Sequence, residues 1–357
     1  MAAFLGLDIG GANTKAALLN TENKKITNYR SISKYFPMWK NSQNLPNLLL
    51  NLKEQLSPAP LDALAITLTA ELSDAYSTKQ AGISHILSCV TQVFFDIPCY
   101  VLTTDAKLLP LEAVWKNLLE VGGANWAATG WVIAQYFQDA VALDVGSTST
   151  SIIPIIKGKV AAQGKGDLEK LVCGELVYTG SLRTNIAAIV QTLPTKYGPA
   201  GVASELFALS GDVHLVLGNI SEAAYSCETA DGRGKALPEA YARLARVVCA
   251  DTQLLSTQEI HAMAKHIYAK QIRQITKGLV KVYKYTKAQS VNQVPVVVMG
   301  VGKTFLAHKA AKKVGVDVIV DLDTLLPIGA GVAVPALGVA WRGASNVLGE
   351  IPVWTFR

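Results

Sequence analysis

The chain has 357 residues, of which 50% are apolar and only 17% charged, and it carries a net charge of +6. That length suits two hydrophobic cores better than one, and the composition excludes a disordered or low-complexity protein. Cys89, Cys99, Cys173, Cys227 and Cys249 are odd in number and form no C-x-x-C pair. They argue for reduced thiols in a cytoplasmic setting and against a disulfide framework or a zinc knuckle.

The chain enters its first element at once, in "FLGLDIGGANTKAALL" (4–19). Neither a basic leader nor a long apolar stretch precedes it, so no signal peptide is expected. Phe4 to Ile9 reads as a short strand buried on both faces, with Asp8 at its tip. Gly10 and Gly11 permit a tight turn with positive φ and bare backbone N–H groups, and Asn13, Thr14 and Lys15 add donors. Such a hairpin can wrap an anion beside a carboxylate that holds the accompanying cation. An ordinary glycine hairpin with Asp8 capping its own turn is the simpler alternative.

Residues 61–69 read as another buried strand, followed by Glu71 and Asp74 in "TAELSD". These carboxylates either cap a helix or stand where cleft chemistry occurs. A helix is expected over 82–94, and a strand over 101–107 that carries Asp105 and Lys107, a second candidate pair. A further helix covers 125–137. "VALDVGSTSTSII" (141–153) then repeats the opening pattern. Asp144 matches Asp8, Gly146 matches Gly10 and Thr150 matches Thr14, which points to a duplicated unit.

Between about 164 and 262 the strand signal weakens. Arg183 in "YTGSLRTN" and Arg233 in "TADGR" stand beside glycine turns, a setting for either a phosphate clamp or a surface salt bridge. His214 lies in an apolar run and reads as a satisfied core residue, and Asp251 with Cys249 reads as a helix terminus. Residues 261–287 place Lys265, Lys270, Arg273, Lys277, Lys281 and Lys284 opposite an apolar stripe. That is an amphipathic helix with a solvated basic face, and no nucleic-acid-binding motif accompanies it. At 294–315 a buried strand runs through Gly300 and Gly302 into a helix near Lys303. "GVGKT" fails as a Walker loop because Val297 stands where its first glycine is required. A generic phosphate cradle remains. The stretch 327–341 is too short and too broken by Pro335 and glycines for a membrane span, and reads as an element packing closely on another backbone.

Together these patterns predict an α/β protein of two ribonuclease-H-like domains facing a cleft, with both aspartate hairpins at its floor. The domains are placed at 1–138 and 139–326, with an insertion over about 164–262, and the segment 327–357 returns to the first domain. Asp8 and Asp144 are the candidate Mg2+ ligands. The candidate phosphate-binding residues are Gly10, Gly11, Asn13, Thr14, Lys15, Gly146, Ser147, Thr148, Thr150, Arg183, Arg233, Gly300 and Gly302. Glu71, Asp105 and Lys107 are the candidate catalytic groups.

Two Asp–Gly hairpins and a late strand–GxG–helix are similar to the actin, sugar-kinase and heat-shock ATPase superfamily. Within it, "YFPMWK" (35–40), "TAELSDAYSTKQAG" (69–82), "TTDAK" (103–107), "ANWAATG" (124–130), "GELVYTGSLRTN" (174–185), "DVHLVLGNI" (212–220), "TADGR" (229–233) and "ARLARVVCAD" (242–251) resemble the hydantoinase/oxoprolinase group. The resemblance is to a branch associated with tetrahydromethanopterin-linked one-carbon metabolism and methanofuran biosynthesis. It implies transfer of a furanylmethyl group from its diphosphate to a phenol, with an aryl ether formed and diphosphate released. It also implies small-molecule diphosphate and phenolic partners, with no nucleic acid and no membrane. One departure is Ser151, where relatives carry an aspartate. A kinase or ATP-dependent amidohydrolase of the same fold, and a non-catalytic nucleotide-binding regulator, are the alternatives. An aromatic pocket from Tyr35 to Trp39, Trp126 and Tyr178 would favour the transferase. Oligomeric state is not readable from the sequence.

Overall fold

The computed structural model describes residues 1–56, 60–327 and 330–355. The chain opens with β1 (Ala2–Ile9), β2 (Asn13–Glu22) and β3 (Lys25–Tyr35), then α1 (Met38–Asn41) and α2 (Leu45–Leu56). β4 (Ala63–Leu68), α3 (Lys79–Val93), β5 (Cys99–Leu102), β6 (Leu108–Pro110), α4 (Leu111–Val114) and α5 (Asn125–Ala134) follow. The aspartate pattern recurs in β7 (Ala140–Val145) and β8 (Thr150–Ile156), followed by β9 (Lys159–Val160), α6 (Asp167–Cys173) and β10 (Leu176–Val177). A small hairpin, β11 (Thr192–Thr195) and β12 (Gly198–Gly201), leads to α7 (Ser210–Val216), α8 (Leu237–Arg246) and the long α9 (Thr257–Gln289). β13 (Val296–Met299), α10 (His308–Val314), β14 (Ile319–Asp321), α11 (Val334–Leu348) and β15 (Val353–Trp354) complete it.

These elements form an α/β protein with two compact units. One comprises Met1–Ala140, Ile153–Lys170 and Asp321–Arg357, and the other Val141–Ile152 and Leu171–Val320. The first sheet has the strand order β15-β3-β2-β1-β4-β5-β6, and the second β10-β8-β7-β13-β14 with β9 paired to β8. In the first, the hairpin β1–β2–β3 is antiparallel and β4 runs parallel to β1. In the second, the central strand β7 likewise has its hairpin neighbour β8 on one side and the parallel strand β13 on the other. Each central strand carries one of the two aspartates as its penultimate residue, so the sequence repeat corresponds to a repeat of topology.

Local chemistry accounts for the main elements. β1 is buried along almost its whole length, as its unbroken apolar run requires. α2 buries Leu45, Leu49, Leu52 and Leu56, the helical spacing that its sequence carries. α9 starts at a capping box in which Ser256 Oγ accepts from the Glu259 N–H at 3.3 Å and Glu259 Oε2 accepts from the Ser256 N–H at 2.9 Å. The helix buries Ile260, Met263, Ile267, Ile272, Ile275, Leu279 and Val282 and extends beyond the 261–287 read from its charge pattern. The strand expected over 101–107 is shorter: β5 ends at Leu102, and residues 103–107 form a turn closed by the Thr103 N–H to Lys107 carbonyl bond at 2.8 Å. The helix entered after Gly302 begins with a wide π-type turn over Lys303–Ala307 before α10.

α11 lies across β1, β4 and α5, and small residues set how closely. A Cβ on Gly6 would stand 2.0 Å from the Ala336 carbonyl oxygen, and one on Gly338 would stand 2.6 Å from that of Ala128. Pro335 occupies the first turn of the helix, where its missing N–H costs nothing. Of the stretch 327–341, positions 328 and 329 lie outside the described residues, as do 356 and 357 at the chain's end. Among the described residues no helix is long and apolar enough to cross a membrane. Because Gly6 meets backbone that cannot swing aside, Gly6→Ala should lower stability by about 1–3 kcal/mol, read from urea unfolding midpoints. An unchanged midpoint would show that α11 does not depend on this contact.

Candidate functional site

The first hairpin places Asp8 where β1 stops. The turn closes with the Gly10 N–H donating to the Asn13 carbonyl at 3.1 Å. Gly10 and Gly11 were expected at positive φ, and neither adopts it. Gly10 is required for space, since a Cβ there would meet Asn13 O at 2.7 Å, while a Cβ on Gly11 would meet nothing within 4 Å. Lys15 pairs with Asp8 across β1–β2, with its Nζ 3.6 Å from Oδ2. Asp8 is only 3% exposed. Its Oδ1 and the Oγ1 of Thr67, its register partner on β4, have no hydrogen-bond partner among the described residues. Burial raises the Asp8 pKa above the usual carboxylate range, and Lys15 opposes that rise.

The second hairpin closes the same way, with the Gly146 N–H donating to the Ser149 carbonyl at 2.9 Å. The loop 179–184 is laced to this turn. The Ser181 N–H donates to the Gly146 carbonyl, and the Leu182 and Arg183 N–H groups both donate to that of Ser147, each at 2.9 Å. Thr150 Oγ1 donates to the Thr179 carbonyl at 2.7 Å. A Cβ on Gly180 would lie 2.5 Å from the Thr148 carbonyl carbon, which explains the glycine of "YTGSLRTN". Arg183 Nη1 lies 3.4 Å from Thr148 Oγ1, so this arginine belongs to the hairpin tip. Asp144 ends β7 beside Gly300, whose φ is +85°. A Cβ there would stand 2.3 Å from Asp144 Oδ1, and the Gly302 N–H donates to the Val145 carbonyl at 2.9 Å. The strand–GxG–helix element therefore joins the second hairpin. Ser151 pairs with Leu176 on β10.

Glu71 follows β4 and is 1% exposed. Its Oε2 has no hydrogen-bond partner among the described residues, and a Cβ on Gly122 would come within 3.1 Å of its Oε1. Burial pushes its pKa up to about 7; nearby Lys79 lowers it and Asp167 raises it, these two being ion-paired at 3.3 Å. Asp105 sits instead in the exposed 103–107 turn, 2.9 Å from Lys165 Nζ. Lys107 is exposed in the same turn. Trp126 is buried with the Lys170 ammonium 3.4 Å above its ring centre, whereas Tyr178 is exposed.

Other motifs have structural roles. Arg233 is exposed in a turn where its N–H donates to Asp231 Oδ1 at 3.2 Å. Asp231 also binds Arg243 at 3.2 Å and Arg246 at 3.0 Å, so "TADGR" anchors α8. Arg243, which lies in "ARLARVVCAD" but is not one of the candidate site residues, is wholly buried and donates from Nε to Asp212 Oδ1 at 2.8 Å. His214 is a satisfied core residue: its Nε2 meets Gln271 Oε1 at 3.0 Å, Asn219 meets its Nδ1 at 3.1 Å, and burial lowers its pKa to about 4. Gln271 in turn donates to Thr179 Oγ1 at 3.0 Å and to the Gly180 carbonyl at 2.8 Å. The roles of Gln271 and Arg243 escaped sequence reasoning because they depend on distant partners, Thr179 lying 92 positions from Gln271 and Asp212 lying 31 from Arg243.

Among the described residues no three of His, Cys, Asp or Glu gather as a metal site. The orphaned oxygen of Asp8 beside the open Gly11 nevertheless fits a magnesium ion that takes most of its ligands from phosphate oxygens and water. Next to the second hairpin, a groove of about 330 Å³ is lined by Leu171, Leu176, Val177, Tyr178, Lys277 and Lys281. That volume and its mix of aromatic, apolar and cationic groups suit a small aromatic ligand bearing a carboxylate.

Two outcomes follow. The Glu71 pKa rises from 4.5 to about 7 on folding, so its contribution to stability is present below 4.5 and lost as pH climbs through 7. Glu71→Gln cannot ionise, so its melting temperature should gain on the wild type's between pH 4.5 and 8. A pH-independent difference would contradict the buried-carboxylate assignment. Arg243→Ala leaves Asp212 buried without its cation and should cost about 3–5 kcal/mol in a denaturant titration, with a near-neutral result refuting that pairing.

Comparison with known proteins identifies the family. The chain matches the hydantoinase/oxoprolinase family over residues 62–337. It is 36% identical over 304 residues to the (4-{4-[2-(gamma-L-glutamylamino)ethyl]phenoxymethyl}furan-2-yl)methanamine synthase of Methanocaldococcus jannaschii, covering 85% of this chain and 87% of that one. Against the synthase of the same name from Methanococcus vannielii it is 39% identical over 145 residues, 41% of this chain and 65% of the other. A nucleotide-free acetone carboxylase structure superposes with a TM-score of 0.57 at 10% identity, over 94% of this chain and 70% of that one, which speaks for the fold alone. Since the family match spans most of the sequence and the first synthase aligns along most of both chains, this protein belongs to the hydantoinase/oxoprolinase family.

Proposed function

We propose that this protein is a transferase of methanofuran-type cofactor biosynthesis. It joins an aminomethyl-furanmethyl diphosphate to the phenol of γ-glutamyltyramine, or of a tyrosine analogue, to form an aryl ether. The observation that carries the reading is the pair of equivalent glycine hairpins ending in Asp8 and Asp144, in a chain 36% identical to a synthase whose printed name contains that ether.

The chemistry assigned to the residues follows from their surroundings. The furanylmethyl C–O bond breaks and diphosphate leaves, while the phenol oxygen forms the new bond and gives up its proton. Each hairpin carries its own cation, Lys15 in the first unit and Arg183 in the second, and fixed positive charge of this kind stabilises a departing diphosphate. Backbone N–H groups at Gly11, and in the other hairpin at Ser147 and Thr148, are further candidate donors. Asp8 in the first unit would hold magnesium, Asp144 is the corresponding candidate in the second, and the ion would neutralise phosphate charge. The phenol has an ordinary pKa near 10. Of the two candidate carboxylates, Glu71 suits the role of proton acceptor better, because burial brings it to about 7 and Oε2 has no hydrogen-bond partner among the described residues. Asp105 is engaged by Lys165 in an exposed turn. The groove at Tyr178, Lys277 and Lys281 is assigned to the acceptor, with a lysine facing its glutamyl carboxylate.

Incubated with magnesium, the furan diphosphate and a tyramine or tyrosine derivative, the protein should release diphosphate and ether product in equal amounts, without ATP. ADP formation, or an ATP requirement for the ether, would replace this reading with a kinase of the same fold. Asp8→Asn and Asp144→Asn should each lose most turnover with little change in melting temperature, and wild-type turnover at limiting magnesium in either would remove the metal assignment. The rate should rise with pH through about 7. Glu71→Gln should lower the rate at least tenfold and flatten that limb, and an unaltered limb would exclude Glu71 as the base.

A further inference from the structure

Within the first unit, a second groove of about 580 Å³ opens between α11, α5 and the β5–β6 turn, and of the candidate site residues only Lys107 lines it. Its walls are Leu108, Leu109, Trp131 and Ile351, and Arg342, Lys107, Ser345 and Asn346 supply its polar groups. Among the described residues no carboxylate lines it. Arg342 is half-buried, and its guanidinium lies 5.9 Å from the centre of the Trp131 ring. Among the described residues nothing is hydrogen-bonded or ion-paired to this arginine, although α11 and its neighbours are well packed. Trp131 is itself held edge-on against Trp341, with ring centres 5.5 Å apart.

A half-buried guanidinium with no protein partner loses part of its hydration and keeps its donors for solvent or a ligand, and a single aromatic face compensates only part of that loss. Burial accordingly disfavours the charged form of Arg342. Its planar set of five donors matches the two oxygens of a carboxylate or a phosphate. Lys107 adds a second, mobile cation at the rim, and the indole and aliphatic walls offer room for a flat apolar body. The C-terminal end of α11, at Gly349, brings about half a negative charge that opposes an anion, and two full cations outweigh it.

We propose that this groove is a binding site for a small organic oxyanion, a carboxylate or phosphate carried on a flat apolar body, separate from the hairpins. The anion completes the donor set of Arg342, and its body lies against Trp131. Calorimetric titration of the full-length protein in EDTA, with phenyl phosphate and with benzoate as probes, tests this. At least one probe should bind saturably with one-to-one stoichiometry, and the better one names the head group. Arg342→Gln, and independently the exposed Lys107→Gln, should each weaken binding at least fivefold, and Asp8→Asn and Asp144→Asn should leave it unchanged. If neither probe saturates, or if the Lys107 and Arg342 variants bind as the wild type does, the site does not exist. Loss in the aspartate variants alone would place the anion at the hairpins and equally overturn the proposal.

Discussion

Parallel pairing that stops at an aspartate is the constraint on which both halves of this protein depend. β1 pairs with β4 through Ile9 and Leu68, and the ladder closes where the Thr69 N–H donates to the Ile9 carbonyl at 2.9 Å. β7 pairs with β13 up to Asp144 and Met299, and the Gly302 N–H closes it on the Val145 carbonyl at 2.9 Å. At the C-terminal edge of a parallel pair the two chains diverge, and side chains there are presented rather than packed. Burial of the strands fixes the backbone, and the polar groups at their ends inherit that rigidity.

Holding carboxylates at such positions has an electrostatic cost. Asp8 and Glu71 are both raised by burial, and each keeps one oxygen without a hydrogen bond among the described residues. A purely structural protein would replace such groups or satisfy them. Arg243 and Asp212 show the contrast, because that pair is equally buried but tied together by direct bonds with Asp231 and the Gly234 carbonyl. The satisfied pair organises the helices of the second unit, and the unsatisfied carboxylates mark where a ligand's charge is expected.

The second hairpin is stiffened from behind by a polar chain running from Asn219 through His214 and Gln271 to Thr179 and Gly180. From His214 to Gly180 every link is buried and bonded, and Asn219 caps the chain from a half-buried position, the condition under which such networks rigidify a fold. Burial keeps His214 neutral at physiological pH, so the network does not change charge there. The loop carrying Arg183 is thereby held against the turn at Gly146.

Much of this was legible in one dimension. The apolar runs ending in Asp8 and Asp144, the glycine turns after them and the stripe of α9 all depend on neighbours close in sequence, where propensity and periodicity act. The motifs likewise sufficed to identify the family. What the sequence could not decide was which groups meet. Gly10 reads as a residue chosen for positive φ, and only the folded turn shows that the Asn13 carbonyl excludes its side chain. Asp105 and Glu71 look alike as carboxylates after strands, and tertiary packing exposes one to Lys165 while burying the other near Lys79 and Asp167. Arg342 lies in an unremarkable helix until α5 and the β5–β6 turn close around it. Burial, ion pairing and cavity formation are sums over residues distant in the chain, so local sequence determined the elements and their tips, and long-range packing decided the electrostatics.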